Sequence, residues 1–509
     1  MKDFLKYTLA TVTGIIAVSA VMMFLGIISL IGMLASEQSK PKVKDNSVFV
    51  LSLSGAMQER SEDDVFSQIT GNAPAVVGLE DVLNSIRKAK DDDNIKGIYI
   101  EAGMFVPDSP ASTQAIRKQL ADFKESGKWI VAYADAYTQS TYYICSVADK
   151  VLLNPQGVVD WRGLAAQPIF LKDLMAKFGV KMQLAKVGKY KSAPEMFTAD
   201  KMSGPNREQV AAYINGIWDT MLTDVAQSRK LSKQRLDAYA DSMVTLAAAE
   251  ELVKMKMVDK LVYASDVKGE IKRLLGIDAD RKINQLTLAD MKNLPGADNG
   301  KGGEVAVYYA YGDVVDTNPG GINTEACIAG DKVCSDLEEL ADDDDVKAVV
   351  LRVNSGGGSA YASEQIWHAV TKLRERKPVV VSMGGMAASG GYYLSCAANY
   401  IYAEPTTLTG SIGIFGMFPD FSGLLTDKLG IKFDEVTTNK HSAFGTMARP
   451  FNAEEMAYLN AYIDRGYRLF IKRVAEGRKM STANVDSIAQ GRVWLGSDAL
   501  KVKLVDGLG

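Results

Sequence analysis

Residues 378–393 read PVVVSMGGMAASGGYY. The branched, unbroken apolar run from Pro378 to Val381 has the character of a buried strand, and YYLSCAANY after it reads as the first turns of a helix. A serine at such a strand-to-helix turn is presented on a sharp bend. The N–H groups that follow it lie at a helix N-terminus, where they stabilise negative charge. Ser389, followed by Gly390 and Gly391, is therefore a candidate nucleophile with part of an oxyanion hole beside it. A glycine-rich turn required only for close packing has the same letters, so the rest of the chain has to decide.

Upstream of that stretch the chain alternates strand-like and helix-like segments. Strands are expected at 47–53, 96–101 and 128–133, and helices at 79–90 and 112–124. Such β-α-β alternation predicts an α/β fold with buried parallel strands. The pattern then repeats about 250 residues on. Asp91-Asp92-Asp93-Asn94-Ile95-Lys96 corresponds to Asp342-Asp343-Asp344-Asp345-Val346-Lys347, KWIV (128–131) to PVVV (378–381), and Tyr142-Tyr143 to Tyr392-Tyr393. The expected layout is a first domain at 46–293, a linker at 294–303 (LPGADNGKGG) and a second domain at 304–509.

The duplication allows the halves to be compared position by position. Gln139 stands opposite Ser389, and GMFVPD (103–108) opposite NSGGGS (354–359), whose three glycines let backbone N–H groups approach a substrate carbonyl. The reverse holds further along, where Lys191 in VGKYKSAPE (187–195) stands opposite His441. Each half keeps what its partner lacks, which predicts one composite site. Lysine is a general base only when neutral, and burial without an acidic partner lowers its pKa towards 7.

Composition narrows the classes. A 47% apolar and 24% charged chain of 509 residues folds, and its net charge of −4 points away from nucleic acid. Four cysteines do not build a disulfide scaffold, and two histidines, His368 and His441, do not build a multi-histidine metal site. Residues 8–35 carry no charge and are long enough to span a bilayer, so residues 1–45 read as a signal anchor and linker. Lys2 and Lys6 before it, and Lys40, Lys42 and Lys44 after it, leave its orientation unset.

NSGGGS, GGMAASGGYY, LTGSIGIFG (408–416) and VGKYKSA together resemble the signal peptide peptidase A (protease IV) family in its long, membrane-anchored form. The resemblance runs in order from Val48 to Gly509. It implies two tandem Clp protease/crotonase-like domains anchored in a bacterial cytoplasmic membrane, with the catalytic part outside the cytoplasm. It implies a serine peptidase acting on signal-peptide remnants and similar hydrophobic peptides, homo-oligomeric (tetrameric in the family), with no cofactor or metal. By motif, Ser389 is the nucleophile, Lys191 the general base and Ser411 the group that orients it; Trp161 is Ser411's counterpart in the first half. Gly358 and Gly390, with Gly357 as the neighbouring candidate, supply the oxyanion hole.

Three departures stand out. Gly356 replaces the proline usual in the glycine loop. His441 occupies the place where one-domain relatives carry their lysine, so a Ser389–His441 pair is a rival. The family continues past Leu504-Val505-Asp506, whose counterpart Met257-Val258-Asp259 precedes a helix-like segment at 265–275, so the second half is expected to extend beyond Gly509. A crotonase-type acyl-CoA enzyme and an inactive scaffold remain the alternatives. Cys327 and Cys334 flank what reads as a polar loop, CIAGDKVC, and could pair if the domain lies outside the cytoplasm. Cys145 and Cys396 read as core, the aspartate runs as solvated turns, and Phe415, Met417 and Phe418 as either groove or core.

Overall fold

A computed structural model describes residues 1–37, 42–61, 76–296, 302–318, 320 and 326–509. Residues 297–301 of the expected linker, and Lys40, lie outside the described residues.

The first half is one parallel sheet built from β1 (Ser47–Gln58), β2 (Val76–Gly78), β3 (Ile95–Val106), β4 (Trp129–Tyr137), β5 (Lys150–Val159), β7 (Lys260–Leu261) and β8 (Asn284–Leu286). Its order is β2-β1-β3-β4-β5-β7, with β8 also on β1. A separate strand, β6 (Lys181–Lys186), leaves this sheet. The second half repeats the plan with β9 (Glu304–Tyr311), β12 (Val346–Ser355), β13 (Val379–Ala388), β14 (Tyr400–Ala403), β15 (Leu408–Gly410), β17 (Val493–Leu495) and β18 (Gly507–Leu508). Here the order is β17-β15-β13-β12-β9, β14 and β18 extend from β13, and only β17 runs antiparallel. A small ladder joins β10 (Asp313–Val315) to β11 (Cys327–Ala329), and β16 (Phe415–Asp420) pairs with β6.

The strand sequences explain the layers. Parallel strands covered on both faces need unbroken apolar runs, and WIVAYA in β4 is buried or half-buried throughout. The helices over them show one apolar stripe: Leu79, Val82, Ile86 and Ala89 are the buried apolar positions of the helix Leu79–Asp91, with Ser85 buried beside them, at the spacing of a single face.

The repeat extends to individual bonds. The Tyr142 hydroxyl donates to Met257 O and that of Tyr392 to Leu504 O, both at 2.8 Å. Arg229 pairs with Asp259, and Arg478 with Asp506. The helices Gly204–Arg229 and Ala453–Arg478 end on left-handed Lys230 and Lys479, both at φ 53°. The strand correspondence differs by one residue from the sequence expectation. Ile130 and Val379 are equivalent, since they pair with Ile98 and Val349 and accept from Asp149 and Asn399. One extra residue therefore enters β13 before Ser389, where its register against β12 shifts between Val353 and Ser355.

The N-terminal helix Lys2–Glu37 is exposed over residues 1–26 and long and apolar enough to cross a membrane. The segment after Met257-Val258-Asp259 is helical from Val267 to Leu275, as expected. All four cysteines are free, and Cys327 to Cys334 is not a polar loop but the whole of β11 and the start of the helix Gly330–Asp342. Cys145 and Cys396 are buried in the two cores. The aspartate runs form turns in which Asp92 and Asp343 Oδ1 accept from the N–H two residues on.

Candidate active site

β13 ends at Ala388, the helix Gly390–Ser395 begins two residues later, and Ser389 makes the bend between them with φ 54° and ψ −117°. That conformation is sparsely populated for a residue with a Cβ and costs of order 1–3 kcal/mol. Its N–H donates to Gly410 O at 2.9 Å, which helps hold it there. The same point in the first half is relaxed. Thr138, at φ −67°, caps its helix through its own side chain, and Gln139 is the first helical residue. Gln139 Oε1 accepts from the N–H groups of Arg162 and Gly163.

Glycines bring the 355–359 loop against the bend. A Cβ on Gly357 (φ +106°) would lie 2.6 Å from Gly390 N and 2.7 Å from Ser389 Cβ. A Cβ on Gly390 would lie 3.2 Å from Gly358 N. Of the three candidate oxyanion donors, Gly357 N–H is committed to Ser355 Oγ at 3.1 Å. Among the described residues nothing accepts from the N–H groups of Gly358 and Gly390. Gly390 is the first residue of its helix, where an N–H has no intrahelical acceptor.

Lys191 reaches this bend from the first half. Its Nζ lies 2.9 Å from Ser389 Oγ, 3.0 Å from Ser411 Oγ and 3.0 Å from Ser411 O. A carbonyl only accepts, so one lysine N–H is spent on Ser411 O. In the neutral amine the lone pair is then free for the Ser389 hydroxyl. Lys191 is 4% exposed. Desolvation, with no carboxylate beside it, lowers its pKa to about 7. Its stem is packed between two glycines: a Cβ on Gly491 would come within 2.6 Å of Lys191 Cβ, and one on Gly413 within 3.2 Å of its Cδ. Ser411, itself at φ 48°, is fixed by donating its N–H to Arg492 O at 2.7 Å.

The halves are joined on both sides of these groups. β6 pairs antiparallel with β16, Lys186 opposite Phe415 through Lys181 opposite Asp420. Tyr190 N–H, next to the lysine, donates to Gln490 O at 2.9 Å. On the other side Asn354, which opens the glycine loop, donates to Glu59 and Asp108 of the first half, both at 3.2 Å. Glu59 also pairs with Arg352.

Ser389, Lys191, Ser411, Gly357, Gly358 and Gly390 thus converge. His441 does not join them. It sits half-exposed, 3.8 Å from Glu454 and edge-on to Tyr458, with no hydrogen bond to Ser389. Trp161, at Ser411's place in the first half, is fully buried and donates to Leu236 O. Phe418 packs edge-on against Phe451 in a small cluster with Ala185, Leu459 and Ile463. Sequence reasoning missed Gly491, Gly413, Asp108 and Glu59, because close backbone approach and cross-half pairing leave no local pattern.

Known proteins similar to this chain are peptidases. The model of peptidase family S49 matches residues 122–278 and 371–509, and that of Clp protease matches residues 323–407. Protease 4 of Salmonella typhi is 39% identical over 439 residues, covering 85% of this chain and 70% of that protein. Protease 4 of Haemophilus influenzae is 34% identical over 509 residues, covering 96% and 81%. The chloroplastic serine protease SPPA of Arabidopsis thaliana is 28% identical over 481 residues, covering 92% and 68%. The chain is therefore a serine peptidase with a Clp protease-like fold, and it belongs to peptidase family S49.

Proposed function

We propose that this serine peptidase works through a Ser389–Lys191 dyad assembled from two tandem domains, 46–293 and 304–509, joined by the 294–303 linker. The observation that carries the reading is the 2.9 Å separation of Lys191 Nζ and Ser389 Oγ at a site where the amine titrates near neutrality.

Neutral Lys191 takes the Ser389 hydroxyl proton as Oγ bonds to the scissile carbonyl carbon. The N–H groups of Gly358 and Gly390 receive the oxyanion, as preorganised donors do. The Lys191 ammonium returns its proton to the leaving amine as the C–N bond breaks, which leaves an ester on Ser389. Water enters, and Lys191 takes its proton as the hydroxide bonds to the ester carbonyl carbon. The ammonium returns that proton to Ser389 Oγ as the C–Oγ bond breaks, releasing the acid and restoring the serine and the neutral amine. Ser411 holds the amine on course throughout.

The substrates are hydrophobic peptides in extended conformation, signal-peptide remnants among them, with half-buried Phe415 and Met417 on β16 as candidate groove residues. The helix Lys2–Glu37 anchors the protein in the bacterial cytoplasmic membrane with both domains outside the cytoplasm, as a homo-oligomer. The apolar helix and the S49 membership support this part of the reading.

The full chain, purified in detergent, is treated with a fluorophosphonate and offered a hydrophobic signal-like peptide and an acyl-CoA thioester. The expected result is an adduct on Ser389, peptide cleavage and no thioester turnover. An adduct elsewhere, or thioester hydrolysis without peptide cleavage, contradicts the proposal.

A further inference from the structure

Lys191 is held in place by its neighbours along the chain, and one side chain grips both of them. Gln209, on the helix Gly204–Arg229, is 2% exposed. Its Nε2 donates to Tyr190 O at 3.0 Å and to Ser192 Oγ at 2.8 Å, with Asn206 Oδ1 at 3.2 Å. Its Oε1 accepts from Val493 N–H of the second half at 3.1 Å. A carbonyl only accepts and a peptide N–H only donates, so these two backbone partners fix which way the amide faces.

Val493 is the register partner of Gly410 in the β15–β17 pair, and its neighbour Arg492 accepts the Ser411 N–H. One amide therefore spans from the two residues flanking the lysine to the strand that fixes Ser411. At the equivalent point of the helix Ala453–Arg478, counting from its start, stands Tyr458, which is exposed.

We infer that Gln209 is a positioning residue for the dyad, locking the lysine-bearing loop of one half to the Ser411 strand of the other. The inference rests on the reading of Lys191 as the base. Charged groups surround the lysine without reaching its amine. Lys189 on its own loop lies over the Tyr190 ring, and Glu195 is bound by Ser203 and Asn206. Glu208 and Arg492 pair with each other at the Tyr190 hydroxyl, and Asp486 is held by Tyr467 and Gln490. Among the described residues none of them pairs with Lys191 Nζ. Loosening the loop thus lets water, rather than a carboxylate, reach the amine.

The test measures kcat, KM and thermal unfolding of the full chain on a hydrophobic peptide, from about pH 5.5 to 9.5 to bracket the base. Gln209→Leu removes all the amide's bonds. Gln209→Glu keeps the acceptor for Val493 N–H, reverses the Ser192 contact so that the hydroxyl has to donate, and leaves Tyr190 O without its donor. Gln209→Leu is expected to lose roughly 10- to 100-fold in kcat at little change in KM, as small misplacements of a catalytic group do. Its acid limb is expected to move up by about one pH unit as the ammonium regains water. Gln209→Glu is expected to fall between it and the wild type in kcat. An unchanged kcat and acid limb, or a kcat loss that only tracks the unfolded fraction, overturns the inference. Lys191→Ala in the same series separates the two claims: if it remains active, the dyad itself fails, whatever Gln209 does.

Discussion

Lys191 buries an amine that, free in water, holds its proton to 10.5 and here releases it at about 7. The difference amounts to about 4–5 kcal/mol of unfavourable free energy for folding the protonated chain, at 1.36 kcal/mol per unit. Between pH 7 and 10.5 the unfolded chain binds the extra proton, so this residue's contribution to stability improves as pH rises through that window. Below 7 both states are protonated and the full penalty applies. Lys191→Met keeps an unbranched stem and removes the charge. It is expected to raise the thermal midpoint by several degrees near pH 6–7, with the gain shrinking as pH approaches 10. Thermal melts across that range check it, and a gain independent of pH would contradict the assigned cause. A function-bearing residue that destabilises its own fold is a common compromise.

At the scale of elements, the site depends on β6 leaving its own sheet to pair with β16. Much else was legible, because the runs of β1, β3 and β4 and the single-sided helix Leu79–Asp91 have periods that declare them. KMQLAK in β6 declares nothing: two lysines bound a short mixed segment whose partner lies more than two hundred residues away. The extra residue in β13 was equally hidden, since it changes only which residue faces which. Ala185 sits fully buried on β6 among Leu459, Ile463 and their neighbours. Ala185→Asp places a carboxylate there without a partner and is expected to cost about 3 kcal/mol or more. Because β6 leads directly into the lysine loop, peptidase activity should fall further than the folded fraction does. Circular dichroism melts run beside activity assays would show this. Equal loss of both would mean that β6 supports the fold alone.

Over the whole molecule, the internal repeat, with Ser389 in one half and Lys191 in the other, is what makes the proposed site readable. No serine stands at Ser389's place in the first half and no lysine at Lys191's place in the second, a pattern that points to a shared centre. What the sequence withheld is how the halves are held in register. That is done by glycines at Gly413 and Gly491 that let the second half close on Lys191, by Gln209 between the lysine loop and β17, and by Glu59 and Asp108 on Asn354. Each acts across the two halves and carries no local signature. His441, a chemically sound rival on paper, lies beside Glu454 and Tyr458 and makes no hydrogen bond to Ser389. In the proposed mechanism catalysis joins a base from one half to a nucleophile from the other. Its most direct test is kcat/KM of the full chain on one hydrophobic peptide for Lys191→Ala, His441→Ala and Ser389→Ala. Loss by a factor of about 10³ or more is expected for the lysine and serine variants, with near wild-type activity for His441→Ala. An active Lys191→Ala together with a dead His441→Ala would place the whole site within the second half and contradict it.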